Sequence, residues 1–317
     1  MVSLPLRHHR AMIARILRRI IAGLITVACV YTVTFVMVVS IPGNPFQTGS
    51  RNMPPEAEQA LRARYHVDDN WAYFGEFLAG AVRLDFGPTF TYNEWTCNQI
   101  IASALPVSVL IGFLAILVAV MVGVPLGVLG AVKRGGWLDA AALAIVLLGI
   151  SVPTFVIGTA LLTLFAVYMG IAPVGGWGTL AHLPLPVLTL SLPFVVYIAR
   201  LTRVGMLDVL GSDFIRTALA KGLPPRTVVW KHALKPALLP VLSYLGPATA
   251  QAMTGSFVVE KVFGVPGIGQ HFVNAALNRD PGLILSTVLV FAAMLVVFNL
   301  VIDVAYAWVD PRISGAV

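Results

Sequence analysis

Five stretches without an aspartate, glutamate, lysine or arginine constrain this chain more than any motif does. They run over residues 20–41, 106–132, 140–199, 236–259 and 281–302. A helix rises 1.5 Å per residue and a bilayer's hydrocarbon core is ~30 Å thick, so about 20 apolar residues cross it. The stretch at 140–199 is too long for one crossing. It breaks at 169–178, where Gly170, Pro173, Gly175, Gly176 and Gly178 mark a turn. Six transmembrane helices are therefore expected. Composition agrees: 58% of the residues are hydrophobic and 11% charged, against about 25% charged in soluble globular chains. These values exclude a soluble enzyme and intrinsic disorder. Cys29 lies in an apolar run and Cys97 in a polar stretch, so a disulfide-stapled domain is excluded too. The 22 uncharged residues at 20–41 exceed the roughly 7–15 of a signal-peptide core, and no A-x-A site follows closely. They read as a retained span.

Orientation follows from the positive charges. With the N-terminus in the cytoplasm, fifteen of the 21 basic residues fall on the inside, including Arg15, Arg18, Arg19, Lys133, Arg134 and seven between Arg200 and Lys235. Nine of the fourteen acidic residues, among them Glu76, Asp85, Glu260 and Asp280, fall outside. Positive charge gathers on the cytoplasmic side of membrane proteins, so both termini are expected there. The formal charge of +7 is a topology signal, and a nucleic-acid partner is not needed to explain it. The long external loop groups Trp71, Tyr73, Phe74 and Phe77, which read as interfacial anchors.

Several chemistries have no foothold. No lysine follows a glycine, so a Walker A phosphate loop is excluded. Zinc-protease, C-x-x-C, nucleophile-elbow and dinucleotide-binding patterns are also missing, and the six histidines are scattered. The expected catalytic, cofactor and metal sites are none. Asp303 is the one carboxylate inside a span. Proton- or ion-driven carriers mark their paths with several such groups, so Asp303 reads as a packing or snorkelling contact.

The strongest local signal is cytoplasmic. Ser212 or Asp213 can cap a helix, Gly222 can end it, and Pro224 prevents its continuation. The result is a helix of about nine residues. Phe214, Ile215, Ala218 and Leu219 form one apolar stripe, with Arg216 and Lys221 elsewhere. So short a helix is unstable alone in water, and its stripe must bury. It can lie on lipid headgroups or plug into a partner's groove.

Arg216-Thr217-Ala218-Leu219-Ala220-Lys221-Gly222, with His232 to Pro240 behind it, resembles the EAA loop of binding-protein-dependent ABC importer permeases. The likeness is to the dipeptide/oligopeptide branch, although Arg216 stands where the EAA glutamate would be. Ile41-Pro42-Gly43-Asn44-Pro45, Asp85-Phe86-Gly87, Gly264 to Gly269 and Asp310-Pro311-Arg312 are similar to further segments of that branch.

The resemblance implies an all-α membrane protein with the type I importer permease fold. Its parts would be an N-tail with the first span (1–41), an external loop (42–103), a five-helix core (104–310) holding the EAA loop (about 211–236), and a tail (311–317). It also implies a second, related permease subunit, two ATPase subunits that use ATP and Mg, an external solute-binding protein, and a bacterial or archaeal plasma membrane. Asp213, Phe214, Arg216, Thr217, Ala218, Ala220, Lys221 and Gly222 would couple the chain to an ATPase, with Phe214 and Ala218 in contact with it. Gly123, Pro125, Gly127 and Gly130 in the second span are expected helix perturbers. The competing reading is a self-contained channel or secondary transporter whose basic loop lies on the membrane surface.

Overall fold

The computed structural model describes residues 4–40, 59, 69–92, 94–136, 152–255 and 257–309; at 4–16 and 303–309 the description is of helical backbone. Regular structure in them is helical apart from an isolated antiparallel bridge between Pro88 and Thr96. Among the described residues, four helices are long and apolar enough to cross a membrane: Leu17–Ser40, Cys97–Val132, Leu180–Leu210 and Pro281–Ile302. A shorter apolar helix covers Thr154–Tyr168. The beginning of the expected third span, 140–151, lies outside the described residues, as do the tail at 311–317 and the side chain of Asp303.

Two compact units divide the chain. The first combines α1 (Leu4–Ser40), α2 (Asn70–Val82), the start of α3 (Cys97–Val132), α9 (Ile268–Leu277) and α10 (Pro281–Val309) as far as Leu300. Here the external aromatics depart from expectation. Asp69 caps α2 through its carboxylate, which accepts from the backbone N–H of Trp71 and Ala72. Tyr73 and Phe77, one turn apart, then face inward and pack with Tyr31, Phe35, Leu285 and Leu289. Phe74 stands edge-on to Phe35 at 5.0 Å, and its carbonyl accepts a 2.7 Å hydrogen bond from the Tyr31 hydroxyl. Only Trp71, 83% exposed, is free to act as an anchor. Helical spacing decides the difference, because residues four apart share a face and Trp71 does not share it. Burial, reinforced by the Asp280 charge, raises the Tyr73 phenol well above its ordinary pKa.

Asp280 counts in the sequence merely as an outside acid, yet it is fully buried. One carboxylate oxygen accepts from the Thr89 hydroxyl and from the N–H groups of Phe90 and Thr91, both at 2.9 Å. The other caps α10 by accepting from the Leu283 N–H at 3.0 Å. A buried carboxylate is stable when its lone pairs are satisfied in this way. Both cysteines are free: Cys29 is exposed and Cys97 buried.

The second unit spans Val109–Val265 and Val301–Val317. It contains the rest of α3, α4 (Thr154–Leu161) with its π-helical continuation Leu162–Tyr168, and α5 (Pro184–Leu210). After α5 come α6 (Asp213–Ala220), a helical run leading into α7 (Leu239–Met253), and α8 (Phe257–Phe263). Proline does not break α3, which stays helical through Pro106 and Pro125. Gly123 and Gly127 act instead as points of close approach. A methyl on Gly123 would stand 2.9 Å from the Val195 carbonyl oxygen, and one on Gly127 2.5 Å from that of Ala199. Four residues along α3 match four along α5 in the same direction, so the two helices run parallel and the chain must return between them. Thr154–Tyr168 lies in that return. Glycine's missing side chain is what admits this contact between spans.

Two further expectations change. The basic segment that starts at Arg200 does not begin as loop, because α5 continues to Leu210 and carries Arg200 and Arg203 on its last turns. Nor is 236–259 one helix. Helix α7 ends at Met253, a turn passes through Thr254 and Gly255 with Gly255 at positive φ, and α8 follows. Hydropathy cannot detect this break, since residues 254–259 are as uncharged as those before them.

Two outcomes are expected. Replacing Asp280 with alanine removes four hydrogen bonds and strands buried donors, at roughly 1–3 kcal/mol each. Limited proteolysis should then cut near 88–91 much faster than in the parent. Gly127→Ala should lower the thermal unfolding temperature of the purified protein, because the opposing atom is backbone and cannot swing aside.

Candidate functional site

Ser212 takes the extended backbone of an N-cap, but its hydroxyl donates to the Val209 carbonyl rather than capping α6. Asp213 places a negative charge in the first turn, where the helix dipole favours it. The helix ends through paired bonds: the Gly222 N–H reaches the Leu219 carbonyl at 2.9 Å and the Leu223 N–H reaches that of Ala218 at 3.3 Å. This is a Schellman closure, which needs a left-handed residue at Gly222. Its φ is +80°, and no atom lies within 4 Å of where a methyl would stand. Backbone conformation alone therefore selects glycine here.

At 100° per residue, Phe214, Ala218, Ile215 and Leu219 cover a stripe about 140° wide. The structure divides it. Its middle, Ile215 and Ala218, is buried against Val128 and Ala131 of α3, Met206 of α5, and Val228, Ala233 and Ala237 beyond the turn. Its edges stay open, with Phe214 50% and Leu219 47% exposed. Leu223 packs on the same cluster. The short helix is thus stabilised by its own chain, and the fully buried Ile215 is worth about 2–3 kcal/mol.

The opposite face carries Asp213, Arg216, Thr217, Ala220 and Lys221, all exposed. Arg216 and Asp213 approach to 3.5 Å with side chains 75% and 97% exposed, a pair that contributes little to stability. Of the eight residues expected to act together, six therefore lie on or beside the outward side, counting Phe214 at the stripe's edge. Ala218 faces inward, and Gly222 shapes the end. Among the described residues, no group of three or more histidine, cysteine, aspartate or glutamate side chains could hold a metal ion.

The segment beyond α6 was not legible from the sequence. Helical backbone runs from Pro225 to Met253 through Pro225–Thr227, a π-helical stretch Val228–Ala233, Leu234–Ala237 and α7. Leu238 joins the last two, donating to the Leu234 carbonyl and accepting from the Leu242 N–H. Pro236 and Pro240 supply no N–H to the helical ladder, and the wider π register and the irregular step at Leu238 sit beside them. Only the tight turn at Gly222 separates α6 from this rod of 29 residues.

A family model described as "Binding-protein-dependent transport system inner membrane component" matches residues 123–315. The oligopeptide transport system permease protein OppB of Salmonella typhimurium is 44% identical over 305 residues, covering 95% of this chain and 99% of the relative. The chain belongs to this family of inner-membrane transport components. OppB of Escherichia coli strain K12 matches to the same extent. The dipeptide transport system permease protein DppB of Bacillus subtilis is 39% identical over 299 residues, 94% of this chain and 97% of the relative. Among solved structures, an inward-facing MetNI methionine ABC transporter shares 22% identity and a TM-score of 0.48, covering 67% of this chain and 96% of that one. The family match takes in α5, α6 and the whole rod.

Gly222→Ala should cost about 1–2 kcal/mol, the penalty of a left-handed alanine, with Gly222→Asn costing less. Thermal unfolding of the purified inner-membrane component measures both. Equal losses would show that space rather than backbone conformation governs this position.

Proposed function

We propose that this chain is the permease subunit of an ATP-driven importer for peptides and forms half of its translocation pore. Near-full-length identity of 44% to an oligopeptide transport permease carries the reading. In it, residues 1–41 are the N-tail and first span, 42–103 an external loop, 104–310 the core, and 311–317 the tail. Both termini are cytoplasmic. The partners are a second related permease, two ABC ATPases that bind ATP and Mg, and an extracytoplasmic solute-binding protein. The chain itself binds no cofactor and hydrolyses nothing.

The geometry of α6 supports the coupling role. A helix seated by Ile215 and Ala218 cannot roll independently of α3 and α5, because both contribute to its seat. Force on its outward face therefore passes to those spans and, through the short turn, to the rod. The outward face combines the small Ala220 with Thr217, Asp213 and Arg216, giving a partner a close contact bordered by charge. The apolar edges at Phe214 and Leu219 flank it. Ala218 contributes from beneath, by holding the helix in place.

The test uses the transporter assembled in vesicles with its binding protein. Phe214→Asp and Ala220→Trp should each lower ATP-dependent peptide uptake at least tenfold with membrane insertion unchanged, while Phe214→Leu retains most of it. Full uptake by both disruptive variants would remove the coupling assignment.

A further inference from the structure

Helix α7 differs from the other apolar helices in what it leaves uncovered. Exposed large apolar side chains crowd α1 (Leu24, Ile25, Val36, Met37) and α3 (Phe113, Leu117, Met121), as expected of surfaces against lipid. Residues 239–253 contribute none. Their exposed positions are Pro240, Ser243, Pro247 and Gln251. These are three or four residues apart and so form one stripe along the helix. Beside it, Tyr244 stacks on Tyr197 of α5, with ring centroids 5.2 Å apart and planes 13° from parallel. Tyr197 is 49% exposed.

Depth makes this stripe informative. If Lys235 marks the membrane boundary, Ser243 lies about 12 Å and Gln251 about 24 Å further along the rod, inside a core ~30 Å thick. Ser243 can return its hydroxyl to the Leu239 carbonyl, at 3.4 Å. The Gln251 side-chain amide bonds to no described residue; the Thr254 hydroxyl donates to the backbone carbonyl of Gln251 instead. An unsatisfied amide in hydrocarbon costs several kcal/mol. A lipid-facing surface has no use for these features, whereas a water-filled one satisfies them all.

We propose that Pro240, Ser243, Pro247 and Gln251, with the Tyr197–Tyr244 stack, line an aqueous path whose contacts with cargo are uncharged and hydrogen-bonding. This rests on the permease reading and gives its path a location. A primary amide both donates and accepts, matching the peptide group common to all peptides. Phenol rings offer flat surfaces to side chains of any kind. A lining of this chemistry passes peptides by their backbone and discriminates little by net charge.

The experiment is thiol labelling of the assembled transporter, with Cys29 replaced by serine and the buried Cys97 retained. Ser243→Cys and Gln251→Cys should react with the membrane-impermeant cation methanethiosulfonate ethyltrimethylammonium at least tenfold faster than Val36→Cys on α1. Rates as slow as at Val36→Cys, or reaction only after the complex is dissociated, would overturn the proposal and assign the stripe to lipid or to a closed subunit interface. The same labelling on a Phe214→Asp background should persist without uptake, which separates failure of the path from failure of the coupling reading. Gln251→Glu should also make uptake charge-dependent, favouring a cationic over an otherwise matched anionic peptide several-fold. An unchanged ratio would contradict the assignment of Gln251 to the path.

Discussion

An eight-residue helix cannot hold itself together in water, and the way this chain solves that problem organises the second unit. Ile215 and Ala218 are buried in a cluster built from the ends of α3 and α5 and the beginning of the rod. The helix is rigidly seated for that reason, and the same burial turns Asp213, Arg216, Thr217 and Ala220 outward. Had the whole apolar stripe been buried, no apolar edge would remain for a partner. Had none been, the helix would not exist without one.

The seat also explains why small residues recur where they do. Gly123 and Gly127 let α3 meet the backbone of α5, which brings Val128, Ala131 and Met206 close enough to share a cluster. Substitution there acts on α6 from a distance, through packing. In the first unit Asp280 plays a comparable part by fixing the 89–91 loop to the start of α10. In both places a buried group settles the position of an exposed one.

Much of this was legible in the sequence, for physical reasons. The charge-free runs had to form long apolar helices, and α1, α3, α5 and α10 are long and apolar enough to cross a membrane. Gly222 and Pro224 had to end a helix, and the left-handed φ at Gly222 does so. The extent of α6 was equally plain. The features that stayed hidden depend on tertiary context. Hydropathy is blind to the turn at Thr254–Gly255, to the π register at Val228–Ala233 and to the inward face of α2. A carboxylate at 280 reads as surface charge until its donors, 190 residues earlier in the chain, are seen around it. Helical spacing put Ala218 in the apolar stripe and left Ala220 out of it, but only the cluster around Ile215 shows that Ala218 faces its own chain rather than a partner.

The central claim is that the outward face of α6 with the open edges of its stripe, and not the buried middle of that stripe, meets an ATPase. It is tested most directly by placing the photo-crosslinking amino acid benzoylphenylalanine at Thr217 and, separately, at Ile215 in the assembled transporter. The account predicts that Thr217 gives a covalent product with the ATPase subunit and Ile215 gives products only within this chain. Crosslinks from Thr217 to lipid alone, or an ATPase product from Ile215 in a fully assembled complex, would contradict it.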